Sequence, residues 1–323
     1  MIPDTVAPQW WSATATWRLL RCPASAAPAR APVRPPGRAA DNAGSVAHLA
    51  LQAWAESGEW SLPDPGTRLQ ERFDEVAAAH EADPVRMPQG VVTRARLKTR
   101  AKELAAILSD ANADVRSELL LSDETNHLFG ILDIAGGGSD GLIIDLKTGR
   151  DASAEPSPAI EHQMTFYAHL FQASYGTFPE HVVVFSLQRG PTEIQVAPST
   201  VAALLDQIRA AQLTERTDAR PEAYTCRFCP KRMTCQPHWD EVPGWERPDA
   251  IEGTIGNIER SSSGTAALLI GGRWLTGIPE NALPDGTAPG EFARAVRVRR
   301  RNDSEPEEWN AGSTTLIRIT RAR

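Results

Sequence analysis

The sequence predicts an α/β domain, built as a mixed sheet flanked by helices, followed by a small β barrel. Three observations support this fold class. Apolar residues recur at helical spacing through much of residues 43–109, two β-rich runs meet at a glycine-rich turn at 136–141, and short alternating runs follow residue 250. We therefore expect one domain at residues 1–245 and a second at residues 250–323.

Helices account for most of the first 110 residues in this prediction. The predicted spans are 12–22, 43–56, 67–82 and 94–109. The first follows Ser12, a favourable N-cap residue, and ends before Pro23, which cannot continue a helix. In the last span Leu97, Leu104 and Leu108 recur on one face while basic residues cover the others, which predicts an amphipathic helix with a basic side.

The centre of the chain changes from helical to strand patterns. Strands are predicted at 128–135, 142–148 and 181–188, and helices from Ser157 to about residue 174 and at 199–212. The glycine-rich stretch 136–141 joins the first two strands as a hairpin. Strands and helices that alternate in this way predict a sheet covered by helices.

The end of the chain predicts the small β barrel. A linker with proline and tryptophan, 240–249, precedes five short runs, at 251–255, 266–270, 273–276, 295–298 and 315–319. Five strands of this length are typical of an OB-like barrel. On the fourth, two valines face one way while Arg297 and Arg299 face the other. An arginine stripe suits the backbone of a single-stranded nucleic acid, and the alternative is a barrel that docks on a protein.

Composition and charge restrict the class of protein. Hydrophobic residues make up 41% of the 323 residues and charged residues 23%, and no apolar run is long enough to cross a bilayer. We expect no membrane partner and, because the first residues lack the pattern of a secretion signal, a cytoplasmic location. The formal net charge of −7 excludes a uniformly basic surface. Contact with DNA would depend on basic stretches at 94–102 and 294–301, each of which is otherwise a solvated face.

The predicted hairpin carries residues suited to phosphodiester hydrolysis. Asp145 and Lys147 are two residues apart on one strand and so point to the same face. Asp133 lies on the antiparallel partner, close enough to share a divalent cation with Asp145. Carboxylate-bound Mg²⁺ or Mn²⁺ neutralises phosphate charge and activates water, and Lys147 would orient or deprotonate that water.

Four short motifs occur together around the hairpin. They are Gly44-x3-His48, Gly130-Ile-Leu-Asp133, Asp145-Leu-Lys147-Thr-Gly149 and Gln163-x3-Tyr167. In order, residue type and spacing this set resembles the RecB-type branch of the PD-(D/E)xK nuclease superfamily, over about residues 12–238. The resemblance implies a restriction-endonuclease-like core and a metal-dependent DNA nuclease.

The resemblance also implies a role for each motif residue. The implied metal ligands are His48, Asp133, Asp145 and the backbone carbonyl of Leu146. Lys147 would be the catalytic lysine. Gln163 and Tyr167, one helical turn apart, would line the DNA side of the site. Glu118 falls where the family often has an acidic residue on the preceding strand.

Four cysteines form a second, independent pattern. Cys226, Cys229 and Cys235 have the spacing C-x2-C-x5-C, and Cys22 lies near the N-terminus. Because the cytosol keeps thiols reduced, metal ligation is favoured over disulfides. The layout resembles the iron–sulfur subset of the same family, which includes CRISPR-associated exonucleases and AddB-type nucleases, and it implies a 4Fe-4S cluster. The alternative is a zinc site in which His238 replaces Cys22.

These expectations combine into one functional hypothesis. We expect a Mg²⁺- or Mn²⁺-dependent deoxyribonuclease, an exonuclease or end-processing enzyme that prefers single strands or DNA ends, in DNA repair, recombination or phage defence. The sequence has no G-x4-G-K-[ST] loop, so a motor would come from a helicase or another subunit of a complex. The alternatives are a non-catalytic DNA-binding or scaffold subunit and a zinc-binding interaction module.

Overall fold

The computed structural model of the protein describes residues 9–32, 42–110, 114–137, 141–148, 156–213, 216–302 and 306–320. The chain forms two compact units. The first combines Met1–Leu20 with Ala27–Thr214, and the second combines Arg21–Ala26 with Glu215–Arg323. Residues 215–245, which the sequence places in the first domain, are grouped with the C-terminal strands. In the described part of the chain, no helix has both the length and the apolar character to span a bilayer.

The helices before residue 213 lie where the apolar spacing predicts them. They are α1 (Ala13–Arg21), α2 (Ala43–Ser57), α3 (Pro65–Ala79), α4 (Gly90–Asp110), α5 (Pro158–Tyr175) and α6 (Pro198–Gln212). Local signals set the ends of α2. The Asn42 side chain accepts the amide hydrogen of Ser45 at 3.0 Å and so caps the first turn. Gly58 ends the helix with a φ of 76°, a left-handed conformation that costs glycine little.

Within the described residues, the first unit forms one mixed sheet of five strands. The mixed sheet and the strands at 128–135, 142–148 and 181–188 were predicted, whereas the first and last strands had no predicted span. The five strands are β1 (Asp114–Asp123), β2 (Leu128–Gly137), β3 (Leu142–Lys147), β4 (His181–Ser186) and β5 (Gly190–Glu193), in that spatial order. Strands β3 and β4 run parallel, with α5 between them in the chain, and the other neighbours are antiparallel. The β2–β3 hairpin pairs Ile134 with Ile144. Within its predicted turn, residues 138–140 lie outside the described residues.

The two faces of this sheet have different neighbours. Ile144 and Leu146 of β3 belong to an apolar cluster with side chains of α2, α3 and α4, among them Trp54. Asp145 lies between them in the strand and so points to the opposite face. Helix α5 packs against β1, β2 and β3 and reaches Asp145 through Gln163. The predicted alternation along β3 is therefore present, with its polar side toward α5.

The second unit contains two short helices and a seven-stranded sheet. The helices are α7 (Ala223–Cys226) and α8 (Gln236–Glu241), and the strands are β6 (Ala250–Arg260), β7 (Thr265–Ile270), β8 (Arg273–Pro279), β9 (Phe292–Val296), β10 (Arg299–Asn302), β11 (Glu308–Asn310) and β12 (Leu316–Thr320). The strands pair in the order β10-β11-β8-β7-β6-β9-β12. Buried apolar side chains on one face, including Leu268, Ile278 and Trp309, form the core of this sheet.

The predicted closed, five-stranded OB-like barrel is not confirmed. Strands β10 and β11 are additional, and the described pairings leave β10 and β12 at opposite edges. The first half of β6 pairs with β9 and its second half with β7. At Gly253, where the halves meet, a β carbon would lie 2.7 Å from the Gly271 Cα, so glycine is required there. The predicted fourth strand is interrupted at Arg297, whose φ of 60° separates β9 from β10.

Candidate active site

Side chains from three elements of the first unit converge on one point. His48 Nε2 lies 3.2 Å from Asp133 Oδ1 and 3.9 Å from Glu118 Oε1. One potential ligand atom from each of these three residues lies within 4.8 Å of the other two. His48 is buried on α2, whereas the carboxylates on β1 and β2 are partly exposed. An imidazole with two carboxylates is a ligand set that fits a divalent cation.

Asp133 is fixed by the neighbouring strand. The described pairing of β2 with β3 ends at Ile134 and Ile144. Beyond that point Asp133 Oδ2 accepts the backbone amide hydrogen of Leu146 at 2.8 Å. A carboxylate thus takes the place of the next carbonyl in the ladder and leaves Oδ1 facing His48. The same bond brings the backbone nitrogen of Leu146, the residue whose carbonyl is an implied ligand, beside Asp133.

Asp145 and Lys147 belong to a second group, formed by β3 and α5. Lys147 Nζ lies 2.7 Å from Asp145 Oδ2, and Gln163 Nε2 donates to Asp145 Oδ1 at 3.0 Å. Gln163 Nε2 also donates to the Tyr167 hydroxyl at 3.0 Å. The Asp145 side chain is 3% exposed and that of Lys147 is 34% exposed. The lysine therefore connects a buried carboxylate with the open side of the site.

Burial governs the protonation of this second group. Desolvation raises the pKa of the Asp145 carboxyl above its ordinary value, the Lys147 ammonium opposes that shift, and the charge of Asp133 adds to it. Burial also raises the pKa of Tyr167, so its phenol stays protonated at neutral pH. A cation near Asp133 would offset the repulsion between the two aspartates, which is a second reason that this site fits a metal ion.

Close packing explains two of the motif glycines. A β carbon on Gly130 would lie 2.8 Å from Tyr167 Cε1, so glycine is what allows this α5 side chain to lie against β2. A β carbon on Gly44 would lie 3.1 Å from Asn42 Oδ1, the oxygen that caps the helix of His48. Gly149, the last residue of the lysine motif, lies outside the described residues.

Glu118 and Gln52 extend the set of motif residues. Glu118 lies opposite Asp133 in the β1–β2 register, with a φ of 49° that is unusual within a strand and typical of functional sites. Gln52 donates a hydrogen bond from Nε2 to Glu118 Oε1. The sequence prediction did not include Gln52. Its position four residues after His48 is the signal that could have identified it, because such residues share a helix face.

Comparison with known proteins assigns this arrangement to a family. Residues 10–236 match the PD-(D/E)XK nuclease superfamily. The chain belongs to this superfamily. Its members are nucleases that use divalent metal ions, in keeping with the group formed by His48, Glu118 and Asp133.

Solved structures show more distant similarities to this PD-(D/E)XK protein. The crystal structure of SSO0001 is similar over 73% of this chain and 90% of its own, with 16% identity and a TM-score of 0.32. A murine DNA-binding protein, solved with double-stranded DNA, is similar over 64% of this chain and 95% of its own, with 8% identity and a TM-score of 0.20. A search of curated proteins gives no match.

The four cysteines of this PD-(D/E)XK protein line one cavity of about 210 Å³ in the second unit. Cys22 and Cys226 are buried, and Cys229 and Cys235 are partly buried. The Cys22 thiol accepts the amide hydrogen of Arg220 at 3.3 Å. Burial raises the pKa of Cys226 to about 11, and the nearby Cys229 and Cys22 add to the shift. Among the described residues, no three cysteine or histidine donor atoms here lie within 4.8 Å of one another, so a compact site for a single ion is not preformed.

His238 and Arg232 line the same cavity and are bonded to each other. His238 Nε2 accepts a hydrogen bond from Arg232 Nε at 2.9 Å. Burial lowers the pKa of His238 to about 4, and the Arg232 charge contributes. Arg232 is itself buried and bonds to both carboxylate oxygens of Asp249. Zinc binding through His238 Nε2 would therefore break a buried hydrogen bond.

Proposed function

We propose that the chain is a Mg²⁺- or Mn²⁺-dependent deoxyribonuclease of the RecB type that acts on single strands or DNA ends. The group of His48, Glu118 and Asp133 beside the Lys147–Asp145 ion pair is the observation that supports this most. A cation held there would neutralise phosphate charge and lower the pKa of a coordinated water. A helicase or another subunit of a complex would supply the unwound strand, in DNA repair, recombination or phage defence.

His48, Glu118 and Asp133 would hold the cation. The protein already fixes both carboxylates, since Gln52 bonds to Glu118 and the backbone amide of β3 bonds to Asp133. Ligands that are oriented by such supporting contacts bind metal with less rearrangement. Two further ligands are proposed. One is the Asp145 carboxylate, whose charge interacts with those of Asp133 and His48, and the other is the backbone carbonyl of Leu146.

Lys147 would orient the attacking water as an ammonium and would take that water's proton as the neutral amine, which becomes an ammonium in that step. Its ammonium is positioned by the ion pair with Asp145. Gln163 holds the other oxygen of that carboxylate and also contacts Tyr167, so the carboxylate remains turned toward the lysine. Gln163 and Tyr167 would in addition line the path of the DNA strand.

The direct test is digestion of end-labelled and circular DNA, single- and double-stranded, in Mg²⁺, Mn²⁺ or EDTA. We expect cleavage of linear single strands with either metal and none in EDTA. Asp133→Asn keeps the side-chain size, removes the charge and should abolish cleavage. Asp114→Asn is the matched control, because Asp114 is exposed at the start of β1. Intact DNA under every condition would support the non-catalytic subunit instead.

We also propose that the four cysteines hold a 4Fe-4S cluster. One cavity lined by four thiols meets the ligand number of such a cluster. Within the described ranges the thiols form no compact ligand group, so the proposal rests on their number, their spacing in the sequence and the cavity that they share. Arg232 occupies Nε2 of His238, so the zinc alternative would use Nδ1 of that ring, which has no hydrogen-bond partner among the described residues. The cluster would join Cys22 to three cysteines that are distant in sequence.

Anaerobic purification tests the cluster. We expect a brown protein with broad absorbance near roughly 400 nm and with both iron and sulfide. Cys22→Ser should bleach the protein, whereas His238→Gln should leave its iron content unchanged. A colourless protein that contains stoichiometric zinc, keeps it in Cys22→Ser and loses it in His238→Gln would establish the zinc site instead.

A further inference from the structure

A groove of about 920 Å³ in the second unit is lined by exposed aromatic and arginine side chains. The aromatic residues come from the cysteine loop, since Tyr224 precedes Cys226 and Phe228 lies between Cys226 and Cys229. Tyr224 is 57% exposed and Phe228 is 61% exposed. Two large aromatic residues exposed in one groove are typical of a binding surface.

Positive charge is concentrated in the same groove. Five of the lining residues are arginines: Arg227, Arg247, Arg297, Arg299 and Arg300. The lining also includes Glu246 and Asp249, but both oxygens of Asp249 are bonded to the buried Arg232. Arg300 is ion-paired with Glu307, outside the lining. The guanidinium groups of the lining still outnumber its two carboxylates, and in a chain whose formal net charge is −7 this local excess favours an anionic ligand.

Arginine side chains also lie against the Phe228 ring. The Cζ atoms of Arg227 and Arg297 lie 5.2 Å and 5.6 Å from its centroid. Arg297 has a φ of 60°, a conformation that costs free energy in a residue other than glycine and that often marks a functional site. An aromatic face with adjacent guanidinium groups offers both a stacking surface and positive charge.

We propose that this groove binds single-stranded DNA, with bases stacked on Phe228 and Tyr224 and phosphates contacted by the arginines. Stacking on a protein ring needs an unpaired base, so the aromatic residues select against a duplex. The inference rests on the proposed function, because the bound strand would be the substrate of the nuclease. Phe228 lies between two proposed cluster ligands, so the cluster would also hold the loop that presents it.

Binding can be measured on the full chain by fluorescence anisotropy of a labelled oligo-dT, in EDTA so that no cleavage occurs. Phe228→Ala should weaken binding by about tenfold or more, and Phe228→Trp should retain it. Arg299→Ala should weaken binding and reduce the slope of log affinity against log salt by about 1. Arg260→Ala, which removes an exposed charge on β6 outside the groove lining, is the matched control and should change neither.

Two measurements keep the outcome decisive. Melting temperature and iron content identify the variants that fold. Phe228 and Arg299 belong to separate segments, so if one variant does not fold, the other still tests the groove. The proposal that the groove binds single-stranded DNA would be overturned if either folded variant kept the parent's affinity for oligo-dT, or if its affinity for duplex DNA fell by the same factor. If these variants bind normally while the parent protein cleaves DNA, the groove fails and the nuclease stands. If the parent protein does not cleave DNA but these variants bind single-stranded DNA more weakly than the parent does, the groove stands and the proposed nuclease activity fails.

Discussion

The carboxylate group of the first unit and the cysteine cavity of the second unit, the two regions proposed to bind metal, are built in different ways. In the first unit the protein's own hydrogen bonds hold the carboxylates, since Gln163 bonds to Asp145 and the Leu146 amide bonds to Asp133. In the second unit four thiols surround a cavity, and within the described ranges none of them belongs to a compact ligand group. The carboxylates of the first region are held by the protein itself, whereas the thiols of the second region would depend on the proposed cluster. Removal of metal should therefore affect the two regions unequally.

The largest expected effect separates binding from chemistry in the first region. Lys147→Ala should slow cleavage by about 10²–10⁴-fold, the contribution of a general acid–base group, and leave metal affinity nearly unchanged. Asp133→Ala should lose metal affinity, because it removes a carboxylate from the ligand group. Calorimetric metal titration beside a cleavage assay measures both effects. Lys98→Ala, on the exposed surface of α4, is the control, and full activity of Lys147→Ala would contradict the proposed site.

A second prediction tests the dependence of the cysteine region on its cluster. Removing the cluster should lower the melting temperature of the second unit by about 5 °C or more, because all four cysteines belong to that unit and a covalent cross-link typically contributes about 2–4 kcal/mol. The transition of the first unit should keep its temperature. Scanning calorimetry of cluster-containing and cluster-free protein checks both transitions. Equal shifts of the two, or none, would remove the proposed contrast between the regions.

The first unit could largely be predicted because its signals are local. Helical spacing and capping residues located its helices, and a glycine-rich turn paired the strands that carry Asp133 and Asp145. Glu118 was indicated only by the family resemblance, and no local sequence pattern predicts its φ of 49°. Gln52 has no motif of its own, and its role becomes visible through its bond to Glu118.

The second unit was harder to predict because its pairings are distant in sequence. Strand β10 has four consecutive polar residues and therefore no alternating pattern. Strand β11 pairs in parallel with β8, which a reading based on successive hairpins does not anticipate. The segment Arg21–Ala26 joins this unit through contacts such as the 2.9 Å bond from the Ala24 amide to the Asp218 carbonyl. No local pattern near Cys22 predicts that contact.

A smaller effect, on the stability of the first unit, is expected at acidic pH. His162 is buried, with Nε2 3.1 Å from the Ala13 carbonyl, and burial lowers its pKa to about 4. The unfolded chain, with a histidine pKa of about 6.5, takes up the proton first, so this contribution to stability is complete above about pH 6.5 and is lost as pH falls toward about 4. By about pH 5 the loss should be about 2 kcal/mol.

Urea unfolding at about pH 7.5 and about pH 5 measures this contribution of His162. The control is His162→Gln, which keeps a donor for the Ala13 carbonyl but does not titrate in this range. The difference between the parent protein and this variant isolates the histidine from the carboxyl groups that also titrate. An equal dependence on pH in both proteins would show that His162 does not set the acid sensitivity.

The effect most specific to the site is expected from Gly130→Ala. The new β carbon would lie 2.8 Å from Tyr167 Cε1 and 2.9 Å from Leu170 Cδ1, so these side chains must move. Such overpacking costs about 1–3 kcal/mol. A displaced Tyr167 would also loosen Gln163, which holds the Asp145 carboxylate, so cleavage should fall more than the change in stability explains.

Gly137→Ala is the matched control for this prediction, because it lies on the same strand and its β carbon would meet Tyr175 at 3.5 Å, an ordinary contact. Chemical unfolding and cleavage rates at saturating metal would be compared for both variants. Gly130→Ala should lose activity and Gly137→Ala should keep it, since their difference lies in the contact with Tyr167. Full activity of Gly130→Ala would mean that α5 can shift without disturbing Asp145, and that the first region is less rigidly organised than its hydrogen bonds indicate.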